Sequence, residues 1–96
     1  MARTYYVYIM ASNSEVIYTG MTNNLEAMVY QHKNKLIDGF SKWYNTYKLV
    51  WYDKTDDVGA AIKLEKRIKG WIRKKKVALI EESSPSWADL AKDWFK

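Results

Sequence analysis

Two tyrosines and the single histidine are the first side chains in the sequence whose spacing suggests acid–base chemistry. Tyr8 and Tyr18 stand in two short runs of β-prone residues, and a hairpin between these runs would bring their hydroxyls onto one face. Tyrosines are also common core residues of strands, so packing is the alternative for either one. Gly20, close behind Tyr18, would let the backbone turn sharply or approach a ligand. His32 is either a proton carrier or an ordinary packed or surface residue of a helix.

Glu65 is the most informative carboxylate, because Ala61, Ile62, Leu64 and Ile68 place it within the apolar side of its helix. An ionised glutamate without a partner is costly in an apolar setting. Three arrangements would relieve that cost: a metal ion, an ion pair with a neighbouring lysine, or a position at the lip of a cleft. The residues alone leave these three open.

Basic residues are concentrated in one short window of a chain whose formal net charge is +5. Half of them lie there, against the single acid Glu65: Lys63, Lys66, Arg67, Lys69, Arg73, Lys74, Lys75 and Lys76. This density suits the neutralisation of phosphates and predicts a nucleic-acid partner. The alternative is a solvated helix face that keeps the protein soluble.

Length and composition indicate a single domain and exclude several kinds of metal and membrane protein. Ninety-six residues fit one domain, taken as 1–96, and 48% hydrophobic residues supply a core without disulfides. The absence of cysteine excludes thiolate zinc sites and cysteine nucleophiles, and it favours a reducing cytoplasm. The polar start of the chain does not resemble a signal peptide, and no segment reaches membrane-spanning length. We therefore expect a soluble cytoplasmic protein.

Apolar periodicity and capping residues predict the elements that position these side chains. Strands are predicted over 4–10, 15–19 and 47–52, with a polar turn between the first two. A capping box of Asn23 and Glu26 begins a first helix, which runs to Leu36 with Leu25, Val29 and Leu36 as its apolar stripe. Three more helices are predicted: one from Asp56 or Asp57 to Lys69 before Gly70, one over 72–82, and a short C-terminal one over 87–95. The predicted fold class is α+β, in the order ββαβαα.

Several spaced sequence blocks carry a resemblance to a known family. Tyr6-Val7-Tyr8 and Tyr18-Thr19-Gly20 are followed by further blocks at 22–26, 30–33, 42–45, 49–52, 60–71 and 75–81. Together they resemble the GIY-YIG nuclease superfamily, specifically its short stand-alone bacterial members, over residues 4–90. The chain is also similar to the nuclease domains of the excision-repair incision enzyme and of homing endonucleases.

The resemblance implies metal-dependent phosphodiester cleavage at a shallow site on a three-stranded antiparallel sheet flanked by helices. It assigns Tyr8 and Tyr18 as the signature tyrosines, one of which positions or deprotonates the attacking water. It assigns proton transfer to His32 and divalent-metal binding to Glu65. One carboxylate with water and substrate phosphate suits Mg²⁺ or Mn²⁺.

The sequence departs from the family pattern in the first helix. Where members carry an arginine, often an Arg-Arg pair, this chain has Ala27-Met28. An arginine at the second position would hold the scissile phosphate, which methionine cannot do, and we interpret Met28 as a packing residue. The asparagine that some relatives place further on is also missing, since none follows Asn45.

These features predict a DNA endonuclease whose activity is impaired or depends on a substitute cation such as Arg67 or Arg73. Two alternatives remain: a nucleic-acid-binding module of the same fold that does not cut, and a protein-interaction module with an exposed tryptophan patch. We expect no membrane partner. Nucleic-acid contacts are assigned to Lys33, Lys66, Arg67, Lys69, Arg73, Lys74, Lys75 and Lys76.

Overall fold

The computed structural model describes residues 3–36 and 45–95. It contains three strands, β1 (Tyr5–Ala11), β2 (Ile17–Thr22) and β3 (Lys48–Thr55), and three helices, α1 (Leu25–Lys33), α2 (Val58–Lys69) and α3 (Arg73–Ser83). Their order, ββαβαα, confirms the predicted α+β fold. Residues 42–44 of the resemblance blocks lie outside the described residues.

The three strands form one antiparallel sheet in the order β2-β1-β3, so β1 is central. Tyr8 of β1 lies opposite Gly20 on one side and opposite Tyr52 on the other. Side chains of directly paired residues share a face of the sheet. The register of β1 with β3 shifts between Ile9 and Met10, which changes the alternation along β3.

Alternation along the strands separates two apolar clusters on opposite faces of the sheet. The first, which we call the α2/α3 face, is composed of Val7, Ile9, Ala11, Val50, Ala61, Ile68, Ile80 and Trp87. The second, which we call the α1 face, is composed of Tyr8, Met10, Leu25, Met28, Val29, Leu49 and Ala91.

Helix α1 begins one residue later than the sequence predicts and ends earlier. Its N-cap is Asn24, whose Oδ1 accepts a hydrogen bond from the amide of Ala27 at 3.1 Å, so the predicted capping box at Asn23 is wrong. The helix ends at Lys33, and Lys35 has a φ of 55°, a left-handed conformation that stops the helix. Leu36 is 64% exposed and is therefore not part of the apolar stripe.

Helix α2 has the predicted ends, because both signals are local. Asp57 is the N-cap, and its Oδ1 accepts from the amides of Gly59 at 2.8 Å and Ala60 at 3.3 Å. Gly70 follows the last residue, Lys69, and its amide donates back into the final turn.

The predicted C-terminal helix is wrong, since residues 84–95 form turns and irregular chain. The backbone bonds that a helix would use go to β3 instead: the amide of Leu90 donates to the carbonyl of Leu49 at 2.7 Å. Asp89 Oδ1 accepts from the amides of Leu49 and Ala91, each at 3.0 Å. Trp87 also has a left-handed φ of 58°, which a helix cannot contain. None of the helices in the described part of the chain is long and apolar enough to cross a membrane.

Candidate active site

The structure brings Tyr8, Tyr18 and His32 together on the α1 face. The ring centroids are 6.2 Å apart for Tyr8 and Tyr18, 6.0 Å for Tyr8 and His32, and 5.5 Å for Tyr18 and His32. Tyr8 comes from the central strand, Tyr18 from the start of β2, and His32 from the last turn of α1. Of the three, Tyr8 and His32 are buried, whereas Tyr18 is partly exposed.

Because Gly20 has no side chain, the ring of Tyr8 can lie directly over it. Gly20 lies within β2 rather than at a turn, and a Cβ atom there would stand 2.4 Å from Tyr8 Oη and 2.7 Å from Tyr8 Cζ. Any side chain at this position would displace the phenol. Gly20 therefore does not form the predicted turn; it leaves space for the ring of Tyr8.

The hydroxyl of Tyr8 stays protonated at neutral pH. Burial raises its pKa well above the ordinary value of 10.0, and the neighbouring Tyr18, which also hydrogen-bonds to it, raises the pKa further. The negative charge of Glu65 adds to this shift. Tyr8 is consequently a hydrogen-bond donor in this site rather than a base.

His32 is held as a neutral base. Its side chain is 2% exposed, and burial lowers its pKa below the ordinary value of 6.5. Its Nδ1 lies 3.3 Å from the carbonyl oxygen of Thr46, which can only accept, so we place the proton on Nδ1. Nε2 is then the acceptor and the basic nitrogen of the ring.

The negative charge of Glu65 is the smallest of the effects that raise the pKa of Tyr8. The side chain of Glu65 is 19% exposed, and its Oε1 is 3.6 Å from Nζ of Lys69, one helical turn along α2. The carboxylate thus has the lysine partner that the sequence left open, while remaining accessible from solvent.

The donors available near Glu65 fit a hard divalent cation. No group of three or more His, Cys, Asp or Glu residues suited to a metal occurs among residues 3–36 and 45–95, which argues against an all-protein cage. One carboxylate and phenol oxygens match a Mg²⁺ or Mn²⁺ ion that keeps most of its waters and takes its other ligand from a substrate phosphate.

Met28 is buried at 7% exposure, one turn before His32 in α1. It belongs to the same cluster as Tyr8, Met10 and Val29, so its thioether fills space beside the tyrosines. Its neighbour Ala27 is exposed. A longer side chain at 28 would start inside the candidate site, whereas one at 27 would start in solvent.

The predicted nucleic-acid contacts divide into two groups. Lys33 is tied to the fold: its ammonium group forms an ion pair with Asp89, donates to the carbonyl of Tyr47 at 3.3 Å, and is only 21% exposed. Arg73 donates to the carbonyl of Glu15 at 2.7 Å. The others lie on α2 and α3 with exposed side chains, except Lys76, which is partly buried: Lys66, Arg67, Lys69, Lys74, Lys75 and Lys76.

Sequence reasoning missed Tyr52, which pairs with Tyr8 across β1 and β3. The sequence places Tyr52 in a strand, but the face of the sheet on which its side chain lies depends on the register shift at Ile9 and Met10, which the sequence does not show. It also missed Asp89, whose contacts with Lys33 and β3 are far apart in sequence.

Comparison with known proteins shows which family the chain resembles in sequence and fold. The model of the family described as "GIY-YIG catalytic domain" matches residues 4–78 of the chain. A UPF0213 protein of Natronomonas pharaonis is 31% identical over 84 residues, which cover 88% of this chain and 99% of that protein. A UPF0213 protein of Clostridium perfringens is 34% identical over 79 residues, covering 82% and 85%. The solution NMR structure of a UPF0213 protein from Bacillus halodurans shares the fold, with a TM-score of 0.58 and 20% identity over 94% of this chain and 97% of that one.

Proposed function

Because the chain belongs to the GIY-YIG family of nucleases, we propose that it is a divalent-metal-dependent DNA endonuclease of low activity. The observation that carries this proposal is the convergence of Tyr8, Tyr18 and His32 on one sheet face, within electrostatic reach of Glu65. We expect low activity because Met28 lies in the same cluster as Tyr8, at a position where an arginine would bind the scissile phosphate and stabilise its charge.

The pKa directions support a division of roles among the three rings. Tyr18 is the partly exposed member and therefore the one that can contact an attacking water. His32, neutral and with Nε2 as its basic nitrogen, would take up the proton that the water releases. Tyr8, held protonated, donates a hydrogen bond and fixes the orientation of Tyr18. Glu65 would hold a Mg²⁺ or Mn²⁺ ion, which supplies neutralisation of charge on the scissile phosphate.

Met28→Arg is the most direct test of the proposal. A positioned cationic donor at a reacting phosphate contributes about a hundred- to a thousand-fold in rate, so nicking of plasmid and branched DNA with Mn²⁺ should rise by roughly that factor. The matched control is Ala27→Arg, which adds the same charge one residue earlier on the exposed side of α1 and should leave the rate unchanged. Thermal unfolding of both variants checks that the buried arginine has not disrupted the cluster.

A second substitution tests whether the nicking gained by Met28→Arg depends on the metal ion. Glu65→Gln keeps the shape of the side chain and removes its charge, so the Met28→Arg, Glu65→Gln protein should lose the added nicking. Calorimetric titration with Mn²⁺ should show weaker binding by Glu65→Gln than by the native protein. Equal affinity in the two would make Glu65 only the ion-pair partner of Lys69.

The runner-up function is a nucleic-acid-binding module that does not cut, and the burial of Met28 favours it. If Met28→Arg folds and still cuts nothing while the native protein binds DNA, this second function replaces the first. The third possibility, a protein-interaction module with an exposed tryptophan patch, has weaker support. Among the described residues Trp87 is buried, Trp51 and Trp71 are partly buried, and only Trp94 is exposed, which does not make a patch.

The salt dependence of DNA affinity tests the basic surface common to the first two functions. Lys74 and Lys75 are both exposed on α3, and replacing both by alanine should weaken binding several-fold and flatten its dependence on salt, since each lost phosphate contact releases about one counterion fewer. Lys35 and Lys92, exposed elsewhere, give a control pair with the same change in net charge. Equal effects of the two pairs would mean that total charge, not this surface, governs binding.

A further inference from the structure

A groove lined by aromatic rings lies beside the second half of β3. Tyr6, Tyr52 and Trp94 supply the rings, whose centroids are 6.3 Å apart for Tyr6 and Tyr52 and 6.4 Å apart for Tyr52 and Trp94. Tyr52 is 41% exposed and Trp94 is 36% exposed. The groove has a volume of about 760 Å³, which lies within the range of ligand-binding clefts. Rings that stay open to water in such a groove indicate a surface for a partner.

The ionised side chains of this groove have a net negative charge, although the whole chain has a formal net charge of +5. Glu26 and Asp53 supply two carboxylates, and Lys54 supplies the single ammonium group. All three residues are exposed. The complementary occupant is therefore a cation, and a polyanion is disfavoured.

Both carboxylates of the groove are available to a cation from outside the molecule. Neither Glu26 nor Asp53 forms an ion pair with another of the described residues. Glu26 lies in the first turn of α1. The Oδ1 atom of Asp53 accepts a hydrogen bond from the amide of Lys54 at 2.9 Å. We infer that this carboxylate lies along the outer edge of β3, the edge that does not pair with β1.

The outer edge of β3 adds backbone groups to the groove. Among residues 3–36 and 45–95, the backbone bond on this side of β3 is the one from the amide of Leu90 to the carbonyl of Leu49. The later part of the strand, which includes Tyr52 and Lys54, has no such backbone partner on its outer side within these ranges. An open edge of this kind binds an extended peptide through main-chain hydrogen bonds.

The rings and the carboxylates together determine which cation suits the groove. The planar guanidinium group of an arginine stacks on the face of a tyrosine or tryptophan ring and also donates two parallel hydrogen bonds to a carboxylate. The ammonium group of a lysine is a strongly hydrated point charge and does not form this planar, bidentate contact. Arginine is therefore the side chain that uses both features of the groove.

We propose that this groove binds an extended, arginine-containing segment of a partner protein. Guanidinium groups of the segment would lie against the rings of Tyr52 and Trp94, and their charge would be balanced by Glu26 and Asp53. This protein contact goes beyond the proposed nuclease function and does not depend on it, because peptide binding is measurable without DNA.

The first test measures, by fluorescence anisotropy, the affinity for a labelled octapeptide in which arginine and valine alternate. The net charge of +5 repels such a peptide in general, so binding would report a local acidic site. Glu26→Gln keeps the shape of the side chain and removes its charge, so affinity should fall about fivefold or more. Glu82→Gln changes an exposed carboxylate on α3, and this matched control should bind within about twofold of the native protein.

Substitution of Trp94 tests the rings separately from the charge. Trp94→Leu keeps an apolar side chain but removes the stacking surface, so peptide affinity should fall at least about threefold. Trp94→Phe keeps a ring and should bind the peptide more tightly than the leucine variant does. Because Glu26 and Trp94 are both exposed, circular dichroism should show that all these variants are folded.

Each contrary outcome overturns a defined part of the proposal. No binding of the arginine peptide, or equal binding of a peptide with glutamate in place of arginine, would show that the groove is not a site for cations. Equal losses from Glu26→Gln and Glu82→Gln would mean that total charge governs binding. A lysine peptide that binds as tightly would overturn the choice of arginine. If sedimentation shows that the native protein self-associates and that Glu26→Gln abolishes this, the occupant is a second copy of the chain and not a different partner.

Discussion

The two faces of the sheet are built from the same strands but carry different kinds of side chain. On the α2/α3 face, β1 contributes Val7, Ile9 and Ala11 to a cluster in which every buried member is apolar. On the α1 face, the alternate residues of β1 place Tyr8 beside Tyr18 and His32. Both faces therefore have an apolar cluster, and the period of two along β1 places the reactive groups on the α1 face alone.

Burial has different consequences on these faces. On the α2/α3 face it contributes to the free energy of folding through the removal of apolar surface from water. On the α1 face it also changes ionisation, since it raises the pKa of Tyr8 and lowers the pKa of His32. Both shifts favour the uncharged form of the side chain, so Tyr8 and His32 are neutral near the charged carboxylate of Glu65.

The largest expected difference between the faces is in stability. Ile9→Ala removes a fully buried side chain and should lower the free energy of unfolding by about 2–5 kcal/mol. Tyr8→Phe on the opposite face removes only a hydroxyl and should cost no more than about 1.5 kcal/mol, while it should abolish any nicking gained by Met28→Arg. Urea unfolding of both proteins checks this. Equal costs would show that the tyrosine cluster is itself a main source of stability.

The close approach of Gly20 to Tyr8 gives the second prediction. Gly20→Ala should destabilise the protein by about 1–3 kcal/mol, because the new methyl group overlaps the phenol of Tyr8. In a Tyr8→Leu background the overlap is relieved, so the same substitution should cost at least about 0.5 kcal/mol less. A double-mutant cycle measured by urea unfolding gives this coupling directly. Additive costs would place the strain in the strand rather than in the ring contact.

The order of elements and the two tyrosines could be predicted from sequence because their signals are local. Alternation identified the hairpin, and Asp57 and Gly70 bounded α2. The same reasoning gave a wrong prediction for the C-terminal segment. Asp89 accepts a hydrogen bond from the amide of Leu49, and the amide of Leu90 donates to the carbonyl of Leu49, so this segment packs along β3 and is not helical. Such distant contacts leave no periodic signal. Tyr52 was missed for a related reason, because the shifted register of β3 is a property of strand pairing.

The lowered pKa of His32 predicts how stability depends on pH. Just below pH 6.5 the unfolded chain binds a proton at His32 that the folded protein does not, so stability should fall as the pH drops through this window. The loss is at most about 1.4 kcal/mol per pH unit. His32→Asn should remove this component between pH 7.5 and 5.5 in chemical denaturation. His32 is the only histidine in the chain, so an unchanged pH dependence would mean that it titrates alike in both states.

Thr19 is a buried polar residue on the α2/α3 face, and replacing it tests the apolar character of that face. It pairs with Ile9, is 6% exposed, and its Oγ1 has no hydrogen-bond partner among the described residues. A buried hydroxyl without a partner loses its hydration and gains nothing in return. Thr19→Val replaces it by a methyl group of similar shape and should raise the free energy of unfolding by about 1 kcal/mol, measured by urea unfolding. The substitution points away from Tyr8 and His32, so it should leave nicking by the Met28→Arg protein unchanged. A loss of stability would instead indicate that the hydroxyl is satisfied by a buried water, and that this face is less uniformly apolar than its side chains suggest.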